Sequence, residues 1–138
     1  MPKKPEVSEE GRKELVEKAR AARANAYAPY SHYTVGAALR TASGWIYTGA
    51  NVENASYPVG LCAERVALFS AVAAGERKFQ AIAVVTADGA APCGACRQAL
   101  VEFGRGIEII LADEKGSIHQ VVMLDQLLPF AFDNKNLK

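Results

Sequence analysis

The chain has little that would tie it to a membrane or a polyanion. No apolar run approaches the roughly 18 residues that cross a bilayer, and the opening "MPKKPEVSEEGRKEL" carries charges but no apolar core of a leader peptide. Sixteen basic residues stand against fifteen acidic, a formal net charge of +1, and the basic ones are scattered beyond the Lys3-Lys4 pair. That balance argues against a nucleic-acid surface. Cysteine is scarce and odd in number, three in all, which is poor material for a disulfide framework and favours metal binding or thiol chemistry in a soluble cytoplasmic protein. Internal repeats, low-complexity stretches and long linkers are absent. At 138 residues and half apolar, one domain over 1–138 is expected, with 1–7 disordered and 133–138 a tail; a chain of this size buries about 65–70% of its unfolded surface.

What is present reads as alternating elements. Ser8 followed by Glu9 and Glu10 marks a helix start, and Leu15, Val16, Ala19, Ala22 and Ala26 recur at helical spacing to about residue 26. "YAPYSHY" is an exit loop. From Thr34 the period becomes two, and "TASG" turns the chain into "WIYTGAN", a hairpin. A helix is expected from Cys62 to a cap at Gly75, with Val66, Leu68, Phe69, Val72 and Ala73 mostly buried. "FQAIAVVTA" suits a central strand. "PCGACRQALVEFG" starts a further helix, with Pro92 near its first turn. "GIEIILAD" and "SIHQVVML" are strands around an "EKG" turn, and "LDQLLPF" is a last short helix. The order implies an α/β layered domain whose sheet is covered by helices; it leaves the strand order open.

All three cysteines, Cys62, Cys93 and Cys96, fall at expected helix N-termini. Unpaired N–H groups and the helix dipole favour thiolate there, the form that binds metal. Cys93 and Cys96 share a P-C-x-x-C turn that lets two sulfurs reach one ion, and Cys62 can supply a third. Three ligands on a tetrahedral Zn²⁺ leave one position open, the mark of a catalytic rather than a structural site. Glu64, two residues after Cys62, is placed to take a proton without being a ligand. Arg65 can offset the excess negative charge by donating to the sulfurs. The plainer readings are a structural zinc site closed by His32 or His119, or three buried thiols acting as small hydrophobes. Of the histidines, His32 lies in the exit loop and His119 alternates within a strand, facing solvent or a sheet neighbour.

The pattern C-A-E followed by P-C-x-x-C resembles the zinc-dependent cytidine deaminases. The likeness is strongest to the small homotetrameric nucleoside type, with "YAPYS", "VGAAL", "NVENASY", "CAER", "PCGACRQ" and "LLPFAF" in order across residues 12–132. It implies a three-layer cytidine-deaminase-like fold, a mixed sheet of about five strands covered by helices. It also implies one zinc per chain, a nucleoside substrate, a homotetramer whose sites are completed across subunits, and a place in pyrimidine salvage.

By the same resemblance Glu64 is the catalytic acid and base, and Cys62, Cys93 and Cys96 are the metal ligands. Asn51 and Glu53, which alone would read as ordinary loop residues, match positions that hold the ribose hydroxyls. Ala55 and Ala63 match positions whose backbone approaches the pyrimidine. Tyr33 stands where phenylalanine is usual beside the nucleoside, and Phe132 matches a ring that reaches the base from a neighbouring subunit; by default both would be core aromatics. Phe130 occupies a position where small residues are common, and "TADGAA" is a short loop for the family. The expected reaction is hydrolysis of cytidine and deoxycytidine to uridine and deoxyuridine with release of ammonia. The alternatives are deamination of a modified cytosine nucleoside such as blasticidin S, and a non-catalytic zinc module. Polynucleotide and nucleotide deaminases generally use histidine as first ligand and need basic phosphate contacts, which this chain lacks.

Overall fold

The structure is a computed structural model that describes residues 7–137. Helix α1 spans Glu9–Arg23, and the Ser8 hydroxyl accepts from the Gly11 N–H at 3.0 Å, satisfying one of the free donors at its start. Strands β1 (Gly36–Thr41) and β2 (Ile46–Ala50) form the expected hairpin. There follow α2 (Ala63–Ala73), β3 (Phe79–Val85), α3 (Gly94–Val101), β4 (Glu108–Ala112), β5 (Ile118–Met123) and the single turn α4 (Leu124–Leu127). The five strands make one sheet in the order β2-β1-β3-β4-β5, antiparallel except for the β3–β4 pair.

The central strands β1, β3 and β4 are buried on both faces, while β5 is largely exposed, and alternation divides their side chains between two cores. Ala38, Ala81, Ala83 and Ala112, with Val85 and Ile110, pack with α1, while Ala37, Leu39, Ile82, Val84, Ile109 and Leu111 join the core with α2 and α3. Small residues on the first face let α1 lie close to the sheet. A Cβ at Gly36 would stand 2.0 Å from the Ala19 carbonyl oxygen, so only glycine permits that approach. Gly49 does the same on the opposite face, where a Cβ would meet the Ala63 oxygen and the Ala67 nitrogen at 2.5 Å. The first turn of α2 therefore rests on the β2 backbone. Larger side chains fill the rest of this face, with Phe79 edge-on to Phe103 at 5.4 Å between ring centroids.

Several expectations are corrected. Helix α1 stops at Arg23 rather than near residue 26, because Asn25 and Ala26 close into tighter bonds to Ala22 and Arg23 and Tyr27 then leaves to pair with Asn51 and Glu53. Pairing in β1 starts at Gly36, not Thr34: the Thr34 carbonyl is taken by Arg23 and the Val35 N–H by Asn51. The buried face of α2 is Ala63, Glu64, Ala67, Leu68 and Ala71; Val66 and Val72 are half-buried, and Phe69 and Ala73 are exposed. An almost wholly apolar helix gives periodicity no polar face to work from. Its end does follow expectation, since Gly75 at φ +101° and Glu76 donate back to Val72 and Ala71. Val7, placed within a disordered arm, is buried against α1; residues 1–6 lie outside the described residues. The expected tail is instead anchored, with Asp133 paired to Arg105 at 2.8 Å before a 3-10 turn over Asn134–Leu137. Tyr33 and Phe132 are not core aromatics, being 40% and 59% exposed.

Candidate active site

The two helix starts on one side of the sheet bring the cysteines together. Cys62 caps α2 and Cys93 caps α3, both in extended backbone and neither using its sulfur to cap its own helix. Cys96 lies in the first turn of α3 and is buried. The sulfurs of Cys62 and Cys93 are 3.7 Å apart and those of Cys93 and Cys96 3.5 Å, with all three within 4.8 Å of one another. Ligands at 2.3 Å from a tetrahedral zinc would lie about 3.8 Å apart, so the donor set and spacing both fit the ion. No histidine, carboxylate or fourth cysteine joins this group among the described residues. A structural site closed by His32 or His119 therefore has no support here.

The sulfurs differ in electrostatics. Cys62 is held down to about 5 by hydrogen bonding with Cys96, assisted by the Arg65 guanidinium, whose Nη2 stands 3.5 Å from its sulfur. Cys96 is pushed up, because it shares its proton with Cys62 and is buried. The same contact with Cys62 raises Arg65, so it stays a cation beside the sulfurs. Glu64, only 4% exposed in the first turn of α2, is also raised, mainly by burial and further by the charge of Cys62. A carboxyl lifted above its ordinary range is a stronger proton acceptor than an exposed carboxylate.

Cys62, Cys93 and Glu64 open into one cavity of about 290 Å³. Asn51 and Glu53 line the same cavity. The Asn51 oxygen accepts from the Val35 N–H and its amide donates to the Tyr33 carbonyl, both at 2.8 Å. Glu53 accepts from the N–H groups of Tyr30 and Ser31 at 2.9 and 3.1 Å and from the Ser31 hydroxyl. These bonds, led by the hydroxyl, hold its carboxyl below the usual range. Each side chain keeps hydrogen-bonding capacity for a sugar hydroxyl: one amide hydrogen on Asn51, and lone pairs on Glu53.

Tyr33 also lines the cavity, and its hydroxyl donates to Asp88 at 3.2 Å. Burial raises its phenol, which remains a donor. Ala63, between Cys62 and Glu64, is wholly buried against Gly49 and does not itself line the cavity. Ala55 and Phe132 are exposed and do not line this cavity. Three contributors escaped the sequence reading: Ser31, Thr86 and Asp88. Thr86 is the one polar residue closing the apolar run "AIAVVT", a strand-end position that signals function in α/β sheets. Ser31 lies within "YAPYS", and a loop serine carries no local spacing that points to a carboxylate 22 positions away. Asp88 carried no local signal.

The family described as the cytidine and deoxycytidylate deaminase zinc-binding region matches residues 9–112. A cytidine deaminase of Sporosarcina psychrophila is 45% identical over 126 residues, 89% of this chain and 92% of that protein. The crystal structure of cytidine deaminase from Burkholderia pseudomallei superposes with a TM-score of 0.83 at 52% identity, covering 86% of this chain and 97% of that one. The cytidine deaminase of Mycobacterium tuberculosis gives 0.76 at 38% identity, over 86% and 94%.

Proposed function

Because the chain belongs to the cytidine and deoxycytidylate deaminase family and is a zinc-dependent deaminase, we propose that it hydrolyses cytidine and deoxycytidine, and we propose a role for each residue of the cavity. The observation that carries the reading is a buried Glu64 carboxyl in the same cavity as Cys62 and Cys93, two members of a three-sulfur group that fits zinc. Bound zinc, held by Cys62, Cys93 and Cys96, would supply the Lewis acidity that makes water a nucleophile at neutral pH. Glu64 takes the proton from water as the oxygen adds to C4 of the pyrimidine. Its carboxyl returns that proton to N3, then moves a second from the added oxygen to the amine, which leaves as ammonia with a carbonyl remaining at C4. Glu53 and Asn51 hold the sugar, Tyr33 flanks the nucleoside, Ala63 leaves room beside the base, and Arg65 balances the thiolate charge.

The whole chain acts as one domain and assembles as a homotetramer. Two features support that assembly: Ala55 and Phe132 are exposed and outside the single-chain cavity, and the outward face of α2 carries exposed Phe69 and Ala73 with half-buried Val66 and Val72. Three free thiols suit a reducing cytoplasm, where the reaction serves pyrimidine salvage.

The test follows ultraviolet absorbance as the protein meets cytidine, deoxycytidine, CMP and blasticidin S in parallel, with zinc counted. Fast loss with the first two and about one zinc per chain is expected. Glu64→Gln should lower turnover by at least about 10²–10⁴-fold with zinc retained; a zinc-replete variant that still turns over rapidly refutes the role of Glu64.

A further inference from the structure

Two walls of the cavity are distant in sequence: residues 31–35, which lead into β1, and residues 86–91, which lead from β3 towards Cys93. A continuous hydrogen-bonded chain joins them. Glu53 holds Ser31 through its N–H and hydroxyl, and the Ser31 oxygen accepts from the Tyr33 N–H at 3.0 Å. Across the ring, the Tyr33 hydroxyl donates to Asp88 Oδ1 at 3.2 Å, and the Thr86 hydroxyl donates to the same oxygen at 3.2 Å. Thr86 Oγ1 in turn accepts from the N–H groups of Gly89 and Ala90 at 2.8 and 2.9 Å. His119 clamps the loop from outside: a Cβ on Gly89 would stand 2.8 Å from its ring, which is itself held by Asp113 at 2.8 Å.

We propose that the Tyr33–Asp88 hydrogen bond sets the width of the nucleoside cavity, and that Asp88 is a positioning residue acting through Tyr33 and Thr86 rather than by touching substrate. A phenylalanine at position 33 would fill the same space without joining the walls. The Asp88 backbone is bridged to Asp113, so loss of its carboxylate acts through the Thr86 hydroxyl. That hydroxyl holds the N–H groups of Gly89 and Ala90, and its release loosens Ala90 and Ala91, which line the cavity beside Cys93. The inference rests on the nucleoside reading of the same cavity.

Asp88→Ala should raise KM for cytidine about three- to tenfold, the range that one such hydrogen bond commands, with kcat within about twofold and the zinc count unchanged. Tyr33→Phe should match it, and the double variant should be no worse than either single one, as expected when both remove one interaction. Asp88→Asn keeps an acceptor oxygen and should restore KM, which a loss of charge or of general stability would not. A second readout does not depend on turnover: amide exchange at Gly89 and Ala90 should accelerate in Asp88→Ala and Tyr33→Phe but not in Asp88→Asn, at melting temperatures near that of the parent. Unchanged KM in Asp88→Ala, additive effects in the double variant, or unaltered exchange would each overturn the proposal. A parent protein that ignores cytidine would sink the nucleoside reading instead, while the exchange measurement would still decide the latch.

Discussion

Gly49→Ala tests how the fold aims the site, because position 49 lies outside the cavity lining yet carries the start of α2. The added Cβ would lie 2.5 Å from the Ala63 oxygen and 2.5 Å from the Ala67 nitrogen. Both are backbone atoms, so no rotamer change relieves the clash. Opening those contacts to 3.0–3.4 Å means lifting the first turn of α2 by about half an ångström or more. Overpacking of this kind costs about 1–3 kcal/mol, or a fall in melting temperature of about 3–9 °C for a chain of this length. The site should suffer beyond that loss. Cys62 and Glu64 ride on the displaced turn, and metal ligands tolerate only about 0.2 Å. Zinc affinity should therefore fall about 10–100-fold, the scale seen when groups that orient ligands are disturbed. Competition with a chromophoric chelator reads the affinity, and cytidine turnover the activity. Gly106→Ala, where a Cβ meets nothing within 4 Å, is the control and should stay within about 0.5 kcal/mol of the parent. A Gly49→Ala protein with normal zinc affinity and turnover would refute the argument that this contact aims the metal ligands.

Arg65→Ala removes the cation beside the Cys62 sulfur, so zinc retention should fall about 10–100-fold with the fold intact; chelator competition checks this, and unchanged retention contradicts the charge-balancing role. Glu53 is held below the usual carboxylate range, chiefly by Ser31. Its contribution to stability is therefore present in full above its unfolded pKa near about 4.3 and lost as pH falls through the lowered folded value. Ser31→Ala returns Glu53 towards its ordinary range and so removes this contribution: the variant should melt below the parent at neutral pH, and the gap should narrow as pH falls through that window; a gap that stays constant into acid would count against it. Phe132→Ala, at a largely exposed ring, should change folding stability by no more than about 0.5 kcal/mol while raising KM several-fold, about what loss of one aromatic contact produces. Equal KM in a tetrameric variant would remove Phe132 from the substrate site.

The sequence alone determined what local chemistry can express. Cys93 and Cys96 lie one helical turn apart, Glu64 follows Cys62 by two, and such spacings place atoms within one turn whatever the rest of the chain does. A period of two marked the first strand, turns marked the hairpin and the last strand pair, a continuous apolar run marked the central strand, and Ser8 and Gly75 marked helix ends. Only the tertiary structure decided matters that depend on backbones far apart in sequence. The order β2-β1-β3-β4-β5 brings Cys62 to Cys93, two glycines let helices touch the sheet, and Tyr33 finds Asp88 across 55 positions. Helix α2 shows the limit most directly: apolar on nearly every side, it carries no polar stripe to say which face turns inward, and the close contact at Gly49 settles the question in favour of its alanines. Neighbouring residues encode period and spacing, whereas approach distances are a property of the packed whole.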